Sequence, residues 1–206
     1  LLNEGVSRTP VFEFQSLADA GQFEAWVVTQ YDNFKQVAES TTSHGQLHDI
    51  NINIEGNHVY LIFEFHTGDA SGQNMVTIAT NEVFNYILDH SPISPQDAFL
   101  DGNLSGDKKP NAHTLRHVRG KKVTAEIQLT RELVEKYLHT TPEQMVKFGQ
   151  MTTTGAALSG SIGVNAHYAN ALAALYIACG QDAACVSESA IGITRMELNK
   201  QGGLYA

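Results

Sequence analysis

Positive charge is scarce in this chain. Thirteen Lys and Arg stand against 22 Asp and Glu in 206 residues, a formal net charge of −9. That balance argues against a general nucleic-acid or membrane-surface role. Charge of either sign is sparse at 17%, whereas 42% of the residues are hydrophobic and 17 are Gly. Such a composition favours a packed, tightly looped globular protein over a disordered one. Long hydrophobic runs are missing too. The longest candidate, Ala166 to Cys179, is interrupted by His167 and Asn170, so no segment of this chain reads as a membrane-spanning helix. Cysteine is nearly absent: Cys179 and Cys185 stand six apart with no CxxC spacing. That excludes a disulfide framework or a zinc ribbon and reads as buried thiols of an intracellular, cytoplasmic chain. There is no Gly-x-Ser-x-Gly elbow, no usable Cys/His dyad, no HExxH and no GxGxxG.

What is present follows an α+β order. Val11 to Gln15 alternates like a strand, and Ser16 can cap a helix to about Thr29 with Leu17, Ala20, Phe23 and Val27 on one stripe. A second helix is predicted over Tyr31 to Glu39. Leu47 to Glu55 and His58 to Phe65 form a hairpin pattern about Glu55-Gly56-Asn57. Gly68 to Gly72 then opens a helix to about His90, with Val76, Ile78, Val83, Ile87 and Leu88 on its apolar side. A short strand is expected near Ala98 to Leu100. Further on, a strand lies within Val118 to Leu129. Thr130 caps a helix through Leu138, and Thr141-Pro142-Glu143 starts another. Thr152 to Gly155 reads as a loop into a small-residue helix running from about Gly160 to Gly180, and Val186 to Leu198 as a strand. Both ends look cut, which leads to the expectation of a fragment.

Three clusters carry chemistry. Gly68-Asp69-Ala70-Ser71-Gly72-Gln73-Asn74-Met75 joins a strand to a helix. Small residues there let backbone N–H groups approach a phosphate, aided by the helix dipole. The plainer alternative is a tight turn capped by Asp69. Asp107-Lys108-Lys109-Pro110 is the densest charge cluster, and Asp182 is an isolated acid at the end of an apolar segment. An unpaired buried carboxylate is costly, so Lys108 and Asp182 are natural partners, a lysine controlled by a carboxylate that could polarise a carbonyl. A pair of solvated loop lysines is the alternative. His167 and Asn170 share a helix face, but Asp182 lies fifteen residues beyond His167, about 22 Å along a continuous helix. The two would then serve different places, or different copies of a site in a dimer. His113 and His117 stand four apart without an acid between them, so no metal site is expected.

These motifs, in this order, resemble 3-hydroxy-3-methylglutaryl-CoA reductase in a bacterial-looking, NADPH-using form. The matching stretches are GDASGQNM (68–75), DKKP (107–110), Arg119-Gly120-Lys121, GSIGVNAHYAN (160–170) and IACGQDAA (177–184). The resemblance spans nearly the whole chain. It implies two-hydride reduction of a thioester, hydroxymethylglutaryl-CoA, to mevalonate and CoA in isoprenoid biosynthesis. It implies a large helical/β domain (1–41 and 102–206) for substrate binding and dimerisation, interrupted by an inserted ferredoxin-like small domain (42–101) that binds NADPH. Asp69, Ala70, Ser71, Gly72, Gln73, Asn74 and Met75 would be the cofactor contacts. Lys108 and Asp182 match the catalytic lysine and the aspartate that tunes it, and are expected to meet across two protomers. Asn103, Lys109, His167 and Asn170 would lie near the substrate, in a homodimer or higher oligomer.

The resemblance also implies a catalytic glutamate before residue 1 and a histidine after residue 206. Ser43, Asp101 and Met151 depart from the family pattern of arginine, serine and lysine. Each departure makes the pocket less positive. A second negative charge about 4 Å from an acyl carboxylate costs roughly 4 kcal/mol at an effective dielectric near 20. Two alternatives therefore stand beside the reductase reading: a non-catalytic CoA-ester- or nucleotide-binding homologue, and a reductase of a less acidic acyl-CoA.

Overall fold

The computed structural model describes residues 3–117 and 120–206, excluding the side chains of Asn3 and His117, and mixes helix and sheet in two compact units. Arg119, part of one matched motif, and the side chain of His117 lie outside the described residues.

The first unit runs to Asp107 and takes in residues 120–122. Its strands are β1 (Asn3–Arg8), β2 (Val11–Glu13), β3 (Gln46–Glu55), β4 (His58–His66), β5 (Asp97–Phe99) and β6 (Gly120–Lys122). Its helices are α1 (Leu17–Val28), α2 (Tyr31–Glu39) and α3 (Gln73–His90). Strand β4 is central. Its registers put β3 along one edge and β1 and β2 end to end along the other, all antiparallel. The hairpin forms where the alternation predicts it, and Gly56 supplies the left-handed φ of 61° that its turn needs. A register shift between Leu47 and Asp49 changes the parity of β3. Leu47 and the later Ile50, Ile52 and Ile54 can therefore all join the same core.

That core is aromatic. Phe12, Phe14, Phe23, Phe34 and Phe63 are fully buried, and each such side chain contributes about 1.5–3 kcal/mol of burial. Phe23 contacts Phe12 and Phe14 at centroid distances of 5.2 and 4.7 Å. Phe34 meets Phe63 edge-on at 6.0 Å. These contacts draw the unit wider than the 42–101 boundary expected from sequence. The strands and helices of 3–41 share one core with the hairpin and α3, so they pack as one body. Two stripe assignments also change. Leu17 is exposed, as are Ile78 and Leu88, whereas Ala79 and Thr80 face inward. The stripe of α3 is rotated by about one residue from the one read by hydropathy.

The second unit holds α4 (Ala112–His117), β7 (Gln128–Leu129), α5 (Arg131–Leu138), α6 (Pro142–Ser159), α7 (Tyr168–Ala178), a 3-10 turn at Ala183–Cys185 leading into α8 (Val186–Ser189), β8 (Glu197–Leu198) and β9 (Leu204–Tyr205). Thr130 and Thr141 cap α5 and α6, each accepting a backbone N–H three residues on. Strand β9 sits between β7 and β8. Arg131 ties α5 to Glu143 at the start of α6 and to the Gly202 carbonyl.

Three expectations here are overturned. Thr152 to Gly155 is helical, part of α6. The hydroxyls of Thr152, Thr153 and Thr154 donate to carbonyls one turn back, at 2.9, 2.8 and 3.3 Å, which lets threonines remain in a helix. The small-residue helix begins at Tyr168 instead of Gly160. Gly160 ends α6 with φ 69°, and a Cβ on Gly163 would lie 2.6 Å from the Gly192 carbonyl oxygen. The glycines of 160–163 thus serve a helix end and a close backbone crossing. Residues 186–189 are helical because the 3-10 turn feeds directly into α8, leaving only 197–198 as strand.

Candidate active site

The strand-to-helix turn of the first unit is held from three sides. Thr67 is buried and its hydroxyl donates to the Ala70 carbonyl at 2.7 Å. Gly68 and Gly72 take left-handed φ of 62° and 67°. A Cβ at Gly72 would strike the Thr67 side chain at 2.4 Å, so glycine is required there. Lys121 donates to the Gly68 carbonyl at 3.0 Å and to Glu4 at 2.7 Å. The bond and charge of Lys121 hold the Glu4 carboxyl below its usual range.

Helix α3 is 18 residues long, begins at Gly72 with no side-chain cap, and carries no acid in its first turn. Asp69 therefore does not cap it. Asp69, Ala70, Ser71 and Asn74 are exposed, and Gly72, Gln73 and Met75 half-buried. The Met75 sulfur accepts a bond from Thr42 at 2.9 Å. A long helix with an uncapped N-terminus, a glycine-bounded turn and exposed Asp and Asn side chains fits a dinucleotide's phosphate and ribose groups.

Also in the first unit, Arg8 reaches the strap that precedes Lys108. Its guanidinium side chain, 10% exposed, donates to Asp101 at 2.8 Å, lies 3.5 Å from Asp107 and donates to Thr77 at 3.0 Å. The other oxygen of Asp101 accepts the Asn103 N–H at 2.8 Å, and Asn103 itself has a left-handed φ of 64°. Sequence reading missed Arg8. Its only signal was an arginine set between the apolar positions Val6 and Val11. Asp101 is consequently paired with a cation already in the chain, one that also faces Asp107. Ser43 is exposed, and Met151 is exposed on α6.

In the second unit the Lys108 ammonium lies 2.8 Å from Asp182, both side chains about half exposed. The pairing is intramolecular, which corrects the expectation of a contact across two protomers. The hydrogen bond from Lys108, then that from the Ala184 N–H, holds the Asp182 carboxyl below its usual range. Asp182 is placed by chain reversal. Helix α7 stops at Cys179, Gly180 takes φ 65°, and the Gln181 N–H returns to the Tyr176 carbonyl at 2.7 Å. The Asp182 side chain then caps the 3-10 turn through the Ala184 N–H at 2.9 Å.

Lys109 is exposed, and its carbonyl accepts from Asn111 at 2.8 Å. His167 and Asn170 are exposed at the start of α7, 3.5 Å apart. The 11 residues of α7, about 16 Å of helix, separate His167 from the turn that carries Asp182, and the last eight, about 12 Å, separate Asn170 from it, so both stand at the opposite end of α7 from Asp182. No cluster of three metal-ligating side chains occurs among the described residues.

Comparison with known proteins adds the wider context. The family described as Hydroxymethylglutaryl-coenzyme A reductase matches residues 1–206. A 3-hydroxy-3-methylglutaryl-coenzyme A reductase of Haloferax volcanii is 41% identical over 206 residues, all of this chain and 50% of that protein. One from Methanocaldococcus jannaschii is 40% identical over 210 residues, all of this chain and 52% of its own length. The chain thus spans about half the length of the curated relatives it matches. Among solved structures, a 3-hydroxy-3-methylglutaryl-coenzyme A reductase of Streptococcus pneumoniae superposes with a TM-score of 0.66 at 13% identity, over 99% of this chain and 56% of that one. Another, the class II enzyme of that organism bound to NADPH in open conformations, gives 0.63 at 13% identity, over 99% and 56%.

Proposed function

The chain belongs to the hydroxymethylglutaryl-coenzyme A reductase family, and from that premise we propose that the complete protein reduces hydroxymethylglutaryl-CoA to mevalonate and free CoA in isoprenoid biosynthesis, at the expense of two NADPH. Two hydrides and two protons convert the thioester carbonyl to a primary alcohol. When the first hydride arrives, the carbonyl oxygen gains negative charge, and a fixed ammonium stabilises that charge more than it stabilises the ground state. Lys108 supplies the ammonium. Asp182 keeps it charged and aimed. The single observation that carries this reading is the 2.8 Å pair between them. NADPH is the hydride source. Its binding is assigned to Asp69, Ala70, Ser71, Gly72, Gln73, Asn74 and Met75, in an inserted ferredoxin-like domain whose hairpin, helix and edge strand fall within 42–101. Asn103, Lys109, His167 and Asn170 are assigned to the substrate.

The Arg8–Asp101 pair weakens one motive for an unusual substrate, since a guanidinium that Asp107 shares offsets part of the Asp101 charge. The enzyme is proposed to act as a homodimer or higher oligomer in the cytoplasm. An apolar helix α7 with no buried residue supports the first point, and two cysteines outside any disulfide support the second. No helix among the described residues is long and apolar enough to cross a membrane.

The test is NADPH oxidation by the full-length protein with hydroxymethylglutaryl-CoA. The expected result is a substrate-dependent rate that falls about a hundredfold or more in Lys108→Ala. A wild-type rate at background, with NADPH still bound, favours a non-catalytic binding homologue instead.

A further inference from the structure

Lys108 has an unusual backbone. Its φ is 58°, a left-handed value that L residues bearing a side chain rarely adopt. Such a conformation persists only where its surroundings impose it. Here both polar groups of its backbone are gripped by consecutive residues of α8. The Lys108 N–H donates to Glu188 Oε2 at 2.6 Å. The Ser187 hydroxyl donates to the Lys108 carbonyl at 2.7 Å.

Glu188 is only 6% exposed. A carboxylate withdrawn from water is costly unless it is hydrogen-bonded, and bonds to an ionised acceptor are the strong kind. The same short segment, 182–188, therefore contacts Lys108 at three points: its N–H, its carbonyl and its ammonium. Lys108 is about half exposed, so packing alone does not fix its side chain. An ordinary negative φ would redirect its Cα–Cβ bond and carry the ammonium away from Asp182.

We infer that Ser187 and Glu188 are positioning residues for the Lys108 ammonium, holding its backbone left-handed so that the charge stands against Asp182. The inference rests on the reductase reading for its kinetic consequence and on Lys108 geometry for its structural one. Two kinds of measurement on the full-length protein separate them. In Glu188→Ala, kcat is expected to fall at least tenfold, with the KM for NADPH within about twofold of wild type, because the groups assigned to the cofactor belong to the other unit. Hydrogen exchange at the Lys108 amide is expected to speed up at least tenfold, with exchange in the α3 amides unchanged. Glu188→Gln keeps an acceptor and is expected to recover most of both losses, which a merely structural role would not predict.

Unchanged kcat in a folded Glu188→Ala, or lost kcat with the Lys108 amide still protected, overturns the inference. If Glu188→Ala does not fold, Ser187→Ala removes the carbonyl bond, together with the longer 3.2 Å contact of the same hydroxyl to the Ala184 carbonyl. A drop in kcat of about threefold or more supports the clamp, and a wild-type value overturns it. A wild-type protein without reductase activity defeats the functional reading only. The clamp then stands or falls on amide exchange at Lys108.

Discussion

The two units solve the burial problem differently. The first closes on itself: six phenylalanines from strands and helices are fully buried in one cluster, and β4 is hydrogen-bonded along both edges. The second buries far less. Val134 and Leu204 are its fully buried large side chains, whereas Leu158, Ile177, Met151 and Leu175 are 85, 71, 64 and 56% exposed. Helix α7 is almost wholly apolar and has no buried residue. Exposed apolar patches of this kind mark surfaces that something covers. The first unit thus has its stability written into its own contacts, while the second displays its ion pair on a scaffold whose apolar side is exposed.

The sharpest way to break this contrast is Phe63→Ala. The cavity it leaves is expected to cost about 3–5 kcal/mol, read from the urea midpoint at constant slope. A cost below about 1 kcal/mol would remove the claim that the aromatic cluster is a close-packed core. Next in size is Lys108→Ala. The expectation is a hundredfold to thousandfold loss of kcat with a midpoint close to wild type, since the lysine is half exposed and its role is chemical. Ile177→Asp is expected to weaken self-association of the full-length protein at least tenfold in sedimentation, because a charge would enter an apolar contact. Unchanged association would take α7 out of the interface. Smallest is Glu4→Gln. It loosens Lys121 from the turn at Gly68, and if that turn binds the cofactor as proposed, NADPH affinity is expected to fall by less than about threefold, as for most exposed ion pairs.

The pH dependence of the ion pair has a definite sign. Asp182 is held below its usual range by the Lys108 bond, so its folded pKa is depressed relative to the unfolded chain. The stabilisation is therefore fully present above the ordinary Asp range and disappears as pH falls through the lowered folded pKa. A carboxyl carbon titration should show Asp182 ionised throughout the neutral range and protonating below free Asp. A midpoint at or above the free value would mean that the pair is absent in solution.

Local signals in the chain were readable and long-range ones were not. The hairpin about Gly56, the Ser16 and Thr130 caps and the helix start with proline at Thr141-Pro142-Glu143 each depend on neighbours within a few residues, and each forms as read. The threonine run of α6 reads as a loop by composition, but its hydroxyls bond carbonyls of the preceding turn and so are accommodated within a helix. Gly160 and Gly163 read as the start of a small-residue helix, whereas one ends α6 and the other serves a backbone crossing at Gly192. In the candidate site, Lys108 stands out by its place in the densest charge cluster and Asp182 as an isolated acid at the end of an apolar segment. Arg8 and Glu188 did not, because what defines them is a partner 93 or 80 residues away. An arginine in a strand or a glutamate in a short helix looks ordinary until the fold supplies that partner.

The account's central claim is that Lys108 and Asp182 act as one unit, and a double-mutant cycle on kcat measures this most directly. Lys108→Ala, Asp182→Ala and the double variant of the full-length protein would be compared under saturating NADPH and hydroxymethylglutaryl-CoA. If the two side chains work together, the double variant is barely slower than the worse single one, because the second deletion removes a partner that is already idle. If the two losses simply multiply, the carboxylate and the ammonium act independently and the account is wrong.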